Sequence, residues 1–138
     1  MKTVTVIAED RVALLADISY VLGKSNVNID GLNVEIVGGK AVISLSVRDP
    51  KKARDILQRN GYNTVDMGSI VIKVTDHVSG GMARITERLT KAKVHIENLS
   101  MLSSSASEGV FALQVDKPRK AAKVLWDAVL LNQNSSYA

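Results

Sequence analysis

Cysteine is absent from the 138 residues, which excludes a disulfide framework, a thiol nucleophile and any thiolate metal site. Aromatics are scarce. One Phe, one Trp and three Tyr are too few for a sheet that stacks RNA bases on its central strands, where this chain has Val4, Val6, Val42 and Ile43. Only two imidazoles exist, His77 and His95. A metal site would need a third ligand, for which Glu97 and Asp76 are the nearby candidates, so no metal or other cofactor is expected. HExxH, GxSxG and P-loop motifs are missing, and no enzyme is expected. No uncharged apolar run approaches the roughly 18 to 20 residues that span a bilayer. The start meets Glu9 before a signal segment forms, so a soluble, cytoplasmic protein is expected.

What is present is balanced. There are 18 basic and 14 acidic residues, a formal charge of +4, and they fall almost evenly on the two halves. Such a charge does not build a nucleic-acid or membrane surface. The basic clusters Arg48 to Arg54 and Lys117 to Lys120 read as solvated helix faces rather than as a phosphate site.

That evenness invites a search for repetition. Sliding the chain by 67 positions lays 4–32 on 71–99 and matches eight residues of 29. The matches respect two periods: Ile18 and Leu22 stand at helical spacing with Ile85 and Leu89, Val27 and Ile29 at strand spacing with Val94 and Ile96. After one extra residue, Asp49-Pro50-Lys51-Lys52-Ala53 falls on Lys117-Pro118-Arg119-Lys120-Ala121. The spacing therefore predicts two domains, 1–67 and 68–138, each marginal alone at this size.

Within the first copy, 3–8 reads as a strand and 12–24 as a helix with Leu14, Ile18 and Leu22 on one stripe. Strands over 27–37 and 40–47 are joined by Gly38-Gly39, a two-residue hairpin signal. Pro50 behind the cap candidate Asp49 opens a second helix to Gly61, and a strand near 62–65 closes the unit. The second copy repeats the pattern over 69–75, 80–92, 94–103, 109–115 and a helix from Pro118 through Val129, with its last strand reduced or missing. The predicted fold class is α+β: two ferredoxin-like βαββαβ units, antiparallel sheets with helices on one face and an edge left for self-pairing.

Superposing the copies puts His77 in the place of Asp10 and His95 in the place of Asn28, and each pair is expected to face across one crevice. The turn between first strand and first helix is the distinctive segment. Asp10-Arg11, Leu14-Leu15-Ala16-Asp17-Ile18 and Val27-Asn28-Ile29 in copy one, with Gly80 and Val94-His95-Ile96 in copy two, resemble the ACT domain family, small-molecule regulatory modules of amino-acid metabolism. Copy one departs from the family pattern, with Val12-Ala13 where the family has Pro-Gly. The resemblance implies the βαββαβ order and a free amino acid as ligand. It implies a site made of Asp10, Arg11, Ala13, Leu14, Leu15, Asn28 and Ile29 in copy one and of His77, Ser79, Gly80, Gly81, Met82, His95 and Ile96 in copy two.

Physical chemistry gives that turn a sense of its own. A helix N-terminus with free N–H groups suits a carboxylate, and glycine there lets the ligand approach. Asp10 and Asn28, or a neutral imidazole in copy two, would accept from the ammonium; Leu14 or Met82 would select the side chain. A valine at Gly80 is expected to block binding in copy two and leave the fold intact. The expected protein is a stand-alone tandem module, a homodimer or larger, that signals to an amino-acid-metabolism enzyme or through its own assembly. The alternative is an interaction module that pairs chains and binds no small molecule.

Overall fold

The computed structural model describes residues 2–66 and 68–130, and the chain divides into two compact units, Met1–Met67 and Gly68–Ala138. In the first, β1 (Lys2–Glu9) leads to α1 (Leu14–Lys24), β2 (Gly31–Val37), β3 (Lys40–Val47), α2 (Pro50–Arg59) and β4 (Asn63–Thr64). The strands lie in the order β2-β3-β1-β4, with every neighbouring pair antiparallel. This is the ferredoxin-like arrangement.

Local chemistry accounts for these elements. Val37 pairs with Lys40 across Gly38 (φ 59°) and Gly39 (φ 78°), the double left-handed turn that matches strand twist and that glycine adopts without strain. The Asp49 carboxylate accepts the Lys52 N–H at 3.1 Å, and Pro50 occupies the first turn of α2 behind it. Strand alternation sends Val4, Val6, Ala41, Ile43, Leu45 and Val47 to one face. The helical period brings Leu14, Ile18, Leu22, Ala53, Ile56 and Leu57 down onto them as a single core. In this unit two element starts differ from expectation by two residues or more. Helix α1 starts at Leu14 rather than at 12 because Ala13 is left-handed (φ 69°), and β2 starts at Gly31 because Asn26 (φ 61°) turns the chain out of α1 into a loop.

The second unit runs β5 (Ile70–Thr75), a wide turn over His77–Gly81, α3 (Met82–Lys91), β6 (Ile96–Ser104), β7 (Glu108–Val115) and α4 (Pro118–Val124). Its sheet is β5-β7-β6. Ile72, Val74, Phe111 and Leu113 meet Ile85, Leu89, Ala121 and Leu125 in a core of its own. Edge strand β6 carries two irregularities of register, between Ile96 and Asn98 and between Met101 and Ser103; β2 has none.

Helix α4 stops at Val124, five residues short of the expected Val129. Arg88 on α3 explains the stop: its guanidinium donates to the Val124 carbonyl and grips the Asp127 carboxylate, Nη2 to Oδ1 at 2.7 Å. A cation on the last carbonyls suits a helix C-terminus. The chain then returns along β5, where Ile72 bridges Val129, Lys73 N–H donates to Ala128 and Leu130 N–H to Val71, both at 2.9 Å. This single bridge stands where the first unit has β4. The tail from residue 131, expected to lack a full strand, lies outside the described residues.

The repeat is written in the backbone as well as in the side chains. Ala13 (φ 69°) and Gly80 (φ 107°) are left-handed, as are Asn26 (φ 61°) and Lys93 (φ 60°); each pair is 67 positions apart, the spacing found in the sequence. No helix among the described residues is long and apolar enough to cross a membrane.

The Arg88 clamp makes a prediction about acid. The hydrogen bond from Arg88 is the largest influence on Asp127 and holds its carboxyl below the ordinary range; burial opposes it, and the backbone bond and the Arg88 charge assist. A carboxyl depressed in the folded state adds stability above the unfolded value, about 3.9, and that stability is lost as pH falls through the folded value. The pair is half exposed, so the effect is under about 1 kcal/mol. Urea unfolding at pH 5 and pH 3 should show Arg88→Gln losing less stability between the two than the parent does.

Candidate functional site

The first strand of unit 1 leaves the sheet at Glu9, and the chain must reverse to lay α1 back across the face. It does so through Asp10 to Ala13. Asp10 N–H donates to Gly39 at 3.1 Å, tying the corner to the β2–β3 turn, and Leu14 N–H donates to Arg11 at 3.3 Å. Ala13 takes the conformation for which the family pattern holds a glycine, at a cost of about 1–2 kcal/mol for a residue with a Cβ. No side chain caps α1, so N–H groups of its first turn are left for solvent or a ligand.

Beneath this corner lies a cavity of about 200 Å³, lined by Asp10, Arg11, Ala13, Leu14, Leu15, Ala16, Val34, Ile36, Ala41 and Ile43. Its walls are apolar and its rim is charged. Arg11 pairs with Asp17 at 2.8 Å and Lys40 with Glu9 at 3.3 Å, so both nearby cations are engaged, and the exposed Asp10 carboxylate has no ion pair among the described residues. Sequence reasoning reached Asp10, Arg11, Ala13, Leu14 and Leu15 and missed the β-hairpin wall of Val34, Ile36, Ala41 and Ile43. Their signal was available, since residues at strand alternation on either side of Gly38-Gly39 pair Val34 with Ile43 and Ile36 with Ala41.

Asn28 is not in this cavity, and the expectation that it faces Asp10 is corrected. Glu9 pairs with Lys40, and Val37 with Lys40 too, so the ends of β1 and β2 share one end of the sheet; Gly31 pairs with Ser46 and Lys2 with Val47 at the other. Asn28, which precedes Gly31, is therefore at the end opposite Asp10, where it lines a second hollow. Ile29 packs against the first core. His77 and His95 are separated in the same way, because Thr75 pairs with Glu108 and Ile96 with Val115. His95 is fixed through its backbone, its N–H donating to Asp116 at 2.8 Å. Met82 and Ile96 pack on the second core.

The corner of unit 2 is built differently. His77 meets Phe111 edge to face, centroids 6.1 Å apart, and its Nδ1 is buried without a partner. By strand register Phe111 stands where unit 1 has Ile43, and Asp76, whose N–H donates to Ser107 as that of Asp10 does to Gly39, stands in the place expected for His77; His77 follows Asp76 as Arg11 follows Asp10. An aromatic pair thus occupies positions whose counterparts line the cavity. Gly109, at the position of Ala41, makes room for both: a Cβ there would lie 2.9 Å from the Phe111 ring and 3.3 Å from His77. Ser79 and Gly81 N–H groups both donate to the Asp76 carbonyl, at 2.9 and 2.8 Å. The turn is closed on itself. At Gly80 φ 107° strains any residue with a Cβ, so the valine expected to leave the fold intact carries a cost in backbone strain.

No family model and no curated protein matches the chain. Among solved structures it is similar to a protein from Bacteroides thetaiotaomicron, 22% identical over 98% of this chain and 94% of that one, with a TM-score of 0.47. It is also similar to the regulatory subunit of aspartate kinase from Thermus flavus (11% identical, 91% and 90% covered, TM-score 0.49). A third is the acetolactate synthase small subunit from Thermotoga maritima (13%, 92% and 88%, TM-score 0.39).

The corner of unit 1 offers three things together: backbone donors at a helix start, one unpaired carboxylate, and an apolar recess. A small zwitterion with an aliphatic side chain has groups for all three. Among the described residues no three His, Asp or Glu side chains converge as a metal site would need.

Proposed function

We propose that the chain is a cytoplasmic regulatory module of ACT type whose first unit binds a free amino acid at the β1–α1 corner. The cavity of about 200 Å³ with its apolar walls and charged rim is the observation that carries the reading. In it the ligand carboxylate meets the uncapped start of α1, the ammonium meets Asp10, and the side chain enters between Leu15, Val34, Ile36 and Ile43. A branched aliphatic amino acid suits those walls. With His77 and Phe111 across its corner, unit 2 serves as the structural copy.

Signalling requires that binding alter an assembly, and β2 supplies an edge for one. Leu32, Val34 and Ile36 on this edge are about half exposed, and its regular register leaves backbone groups free to pair. Pairing two copies antiparallel about Val34 brings Gly31 of one beside Val37 of the other. The segment before Gly31 of a second copy, which holds Asn28, then runs past the Gly38-Gly39 turn at the end of the sheet that also carries Asp10. The regulated activity belongs to a partner enzyme of amino-acid metabolism.

The test is thermal unfolding of the full chain with each of the twenty amino acids, alongside sedimentation with and without the best of them. A ligand bound only by the native state adds RT ln(1 + [L]/Kd), about 2.7 kcal/mol at a hundredfold excess over Kd. A rise with one or a few aliphatic amino acids supports the reading; no rise with any of the twenty overturns it. The half-exposed apolar row on β2 favours a second reading, an interaction module without ligand, which predicts self-association indifferent to every amino acid.

A further inference from the structure

The hollow at the opposite end of unit 1 is lined by Asn26, Val27, Asn28, Arg48, Asp49 and Lys52 and measures about 150 Å³. It sits between the α1–β2 and β3–α2 junctions, at the end of the sheet away from Asp10. We propose that it is an oxyanion site that takes a phosphate group, free or as a small monoester, distinct from the amino-acid site and independent of it.

The side chains favour an anion, against the expectation that the Arg48 cluster is only a solvated helix face. Arg48 offers a planar fork of donors that matches an oxyanion in two-pronged fashion, Lys52 a mobile ammonium, and Asn26 and Asn28 two amide groups. None of these four side chains has a hydrogen-bond or ion-pair partner among the described residues. Asp49 opposes them, which leaves a lining charge of +1 from two cations and one anion. Its Oδ1 already accepts the Lys52 N–H. The start of α2 is therefore capped, and the side chains must do the binding.

The repeat provides an internal comparison. The residues of unit 2 at the same places are Lys93, His95, Asp116 and Lys117, and there two side chains turn onto the backbone: Asp116 accepts the main-chain N–H of His95 at 2.8 Å, and Lys117 Nζ donates to the main-chain carbonyl of Lys93 at 2.6 Å. One copy has closed this corner with its own groups. The other has put a cation, Arg48, where its counterpart holds the carboxylate of Asp116, and left every donor side chain free.

Titration calorimetry of inorganic phosphate into the full chain at low ionic strength tests the proposal, with glycerol phosphate and acetate as further arms. Saturable phosphate binding is expected. Arg48→Gln and Lys52→Gln should each weaken it at least fivefold, and Asp49→Asn, which keeps a capping side chain and removes the opposing charge, should tighten it. Glycerol phosphate binding as well as phosphate identifies an ester site, its failure to bind a site for the free ion; either supports the proposal. No saturable phosphate binding, equal affinity for acetate, or equal weakening by Lys120→Gln on α4 would overturn it. Leu15→Trp, in the other cavity, should leave phosphate affinity unchanged, so this site and the amino-acid site stand or fall separately.

Discussion

Gly81→Ala is expected to unfold the second unit at temperatures where the parent is fully folded. Gly81 has ordinary helical angles (φ −60°), so its requirement is one of space. A Cβ there would lie 2.0 Å from the Thr75 carbonyl oxygen and 2.8 Å from that of Asp76. Both obstacles are backbone, and neither can rotate away as a flexible side chain could. Relief requires that the turn open, which breaks the 2.8 Å bond from Gly81 N–H to Asp76 and lifts the start of α3 from the sheet. Overpacking alone costs about 1–3 kcal/mol, and a lost buried backbone bond adds about 1–3 more. Circular dichroism during thermal unfolding should show a transition lowered by many degrees. A variant within one degree of the parent would mean that the turn is far more yielding than its geometry shows. By the same logic Gly23, with nothing within 4 Å of its Cβ position, accepts alanine without loss.

Leu15→Trp is expected to abolish the stabilisation of the chain by its amino acid while leaving the unliganded transition nearly unchanged. Leu15 is 40% exposed on α1 and lines the cavity, so an indole fits without displacing the core and fills the recess proposed for the ligand side chain. Asp10→Ala should act on the other end of the ligand. The loss of one hydrogen bond to a charged group, about 1.5–3 kcal/mol, weakens binding by about tenfold to a hundredfold. The comparison is direct: calorimetry with the most stabilising amino acid on parent and both variants. Unchanged affinity in Leu15→Trp would remove the ligand from this corner.

Much of the fold was legible because the residues that matter locally are also those that matter globally. Gly38-Gly39 specified a two-residue hairpin, Asp49-Pro50 a helix start, and the stripe of Leu14, Ile18 and Leu22 a buried helix face. The crevice was misjudged for a reason the strand order itself contains. In a βαββαβ unit the helix crossing between β1 and β2 returns the chain to the end of the sheet where β1 began, so β1 and β2 run parallel with β3 between them. The start of β2 is then remote from the end of β1, and Asn28 cannot share a crevice with Asp10 of its own chain. Alignment of the two copies shows which residues correspond; it does not show which residues meet.

Other misreadings arose where tertiary contacts outweigh pattern. Ala128 and Val129 continue an apolar helical spacing from Leu125, yet Arg88 terminates α4 and the bridge to Ile72 draws Val129 into extended backbone. In β6 the two register irregularities keep Ile96, Leu99 and Met101 opposite Val115, Leu113 and Phe111. Strict alternation from Ile96 would have chosen Asn98 and Ser100 instead. The cavity itself is illegible in composition because it depends on a difference in bulk between Ile43 in one copy and Phe111, met by His77, in the other.

Those irregularities in β6 also bear on how a tandem chain reaches its native state. Two successive units of similar design invite the exchange of equivalent strands during folding, a characteristic failure of repeat proteins. Strand β2 is seven residues in unbroken register with β3, whereas β6 is nine residues whose register with β7 shifts twice. Laid on β7, β2 would lack the extra residues that those shifts absorb; laid on β3, β6 would turn part of its apolar row to the wrong face. Each edge strand thus has one partner in the chain that it fits, and the divergence of the two copies acts as proofreading.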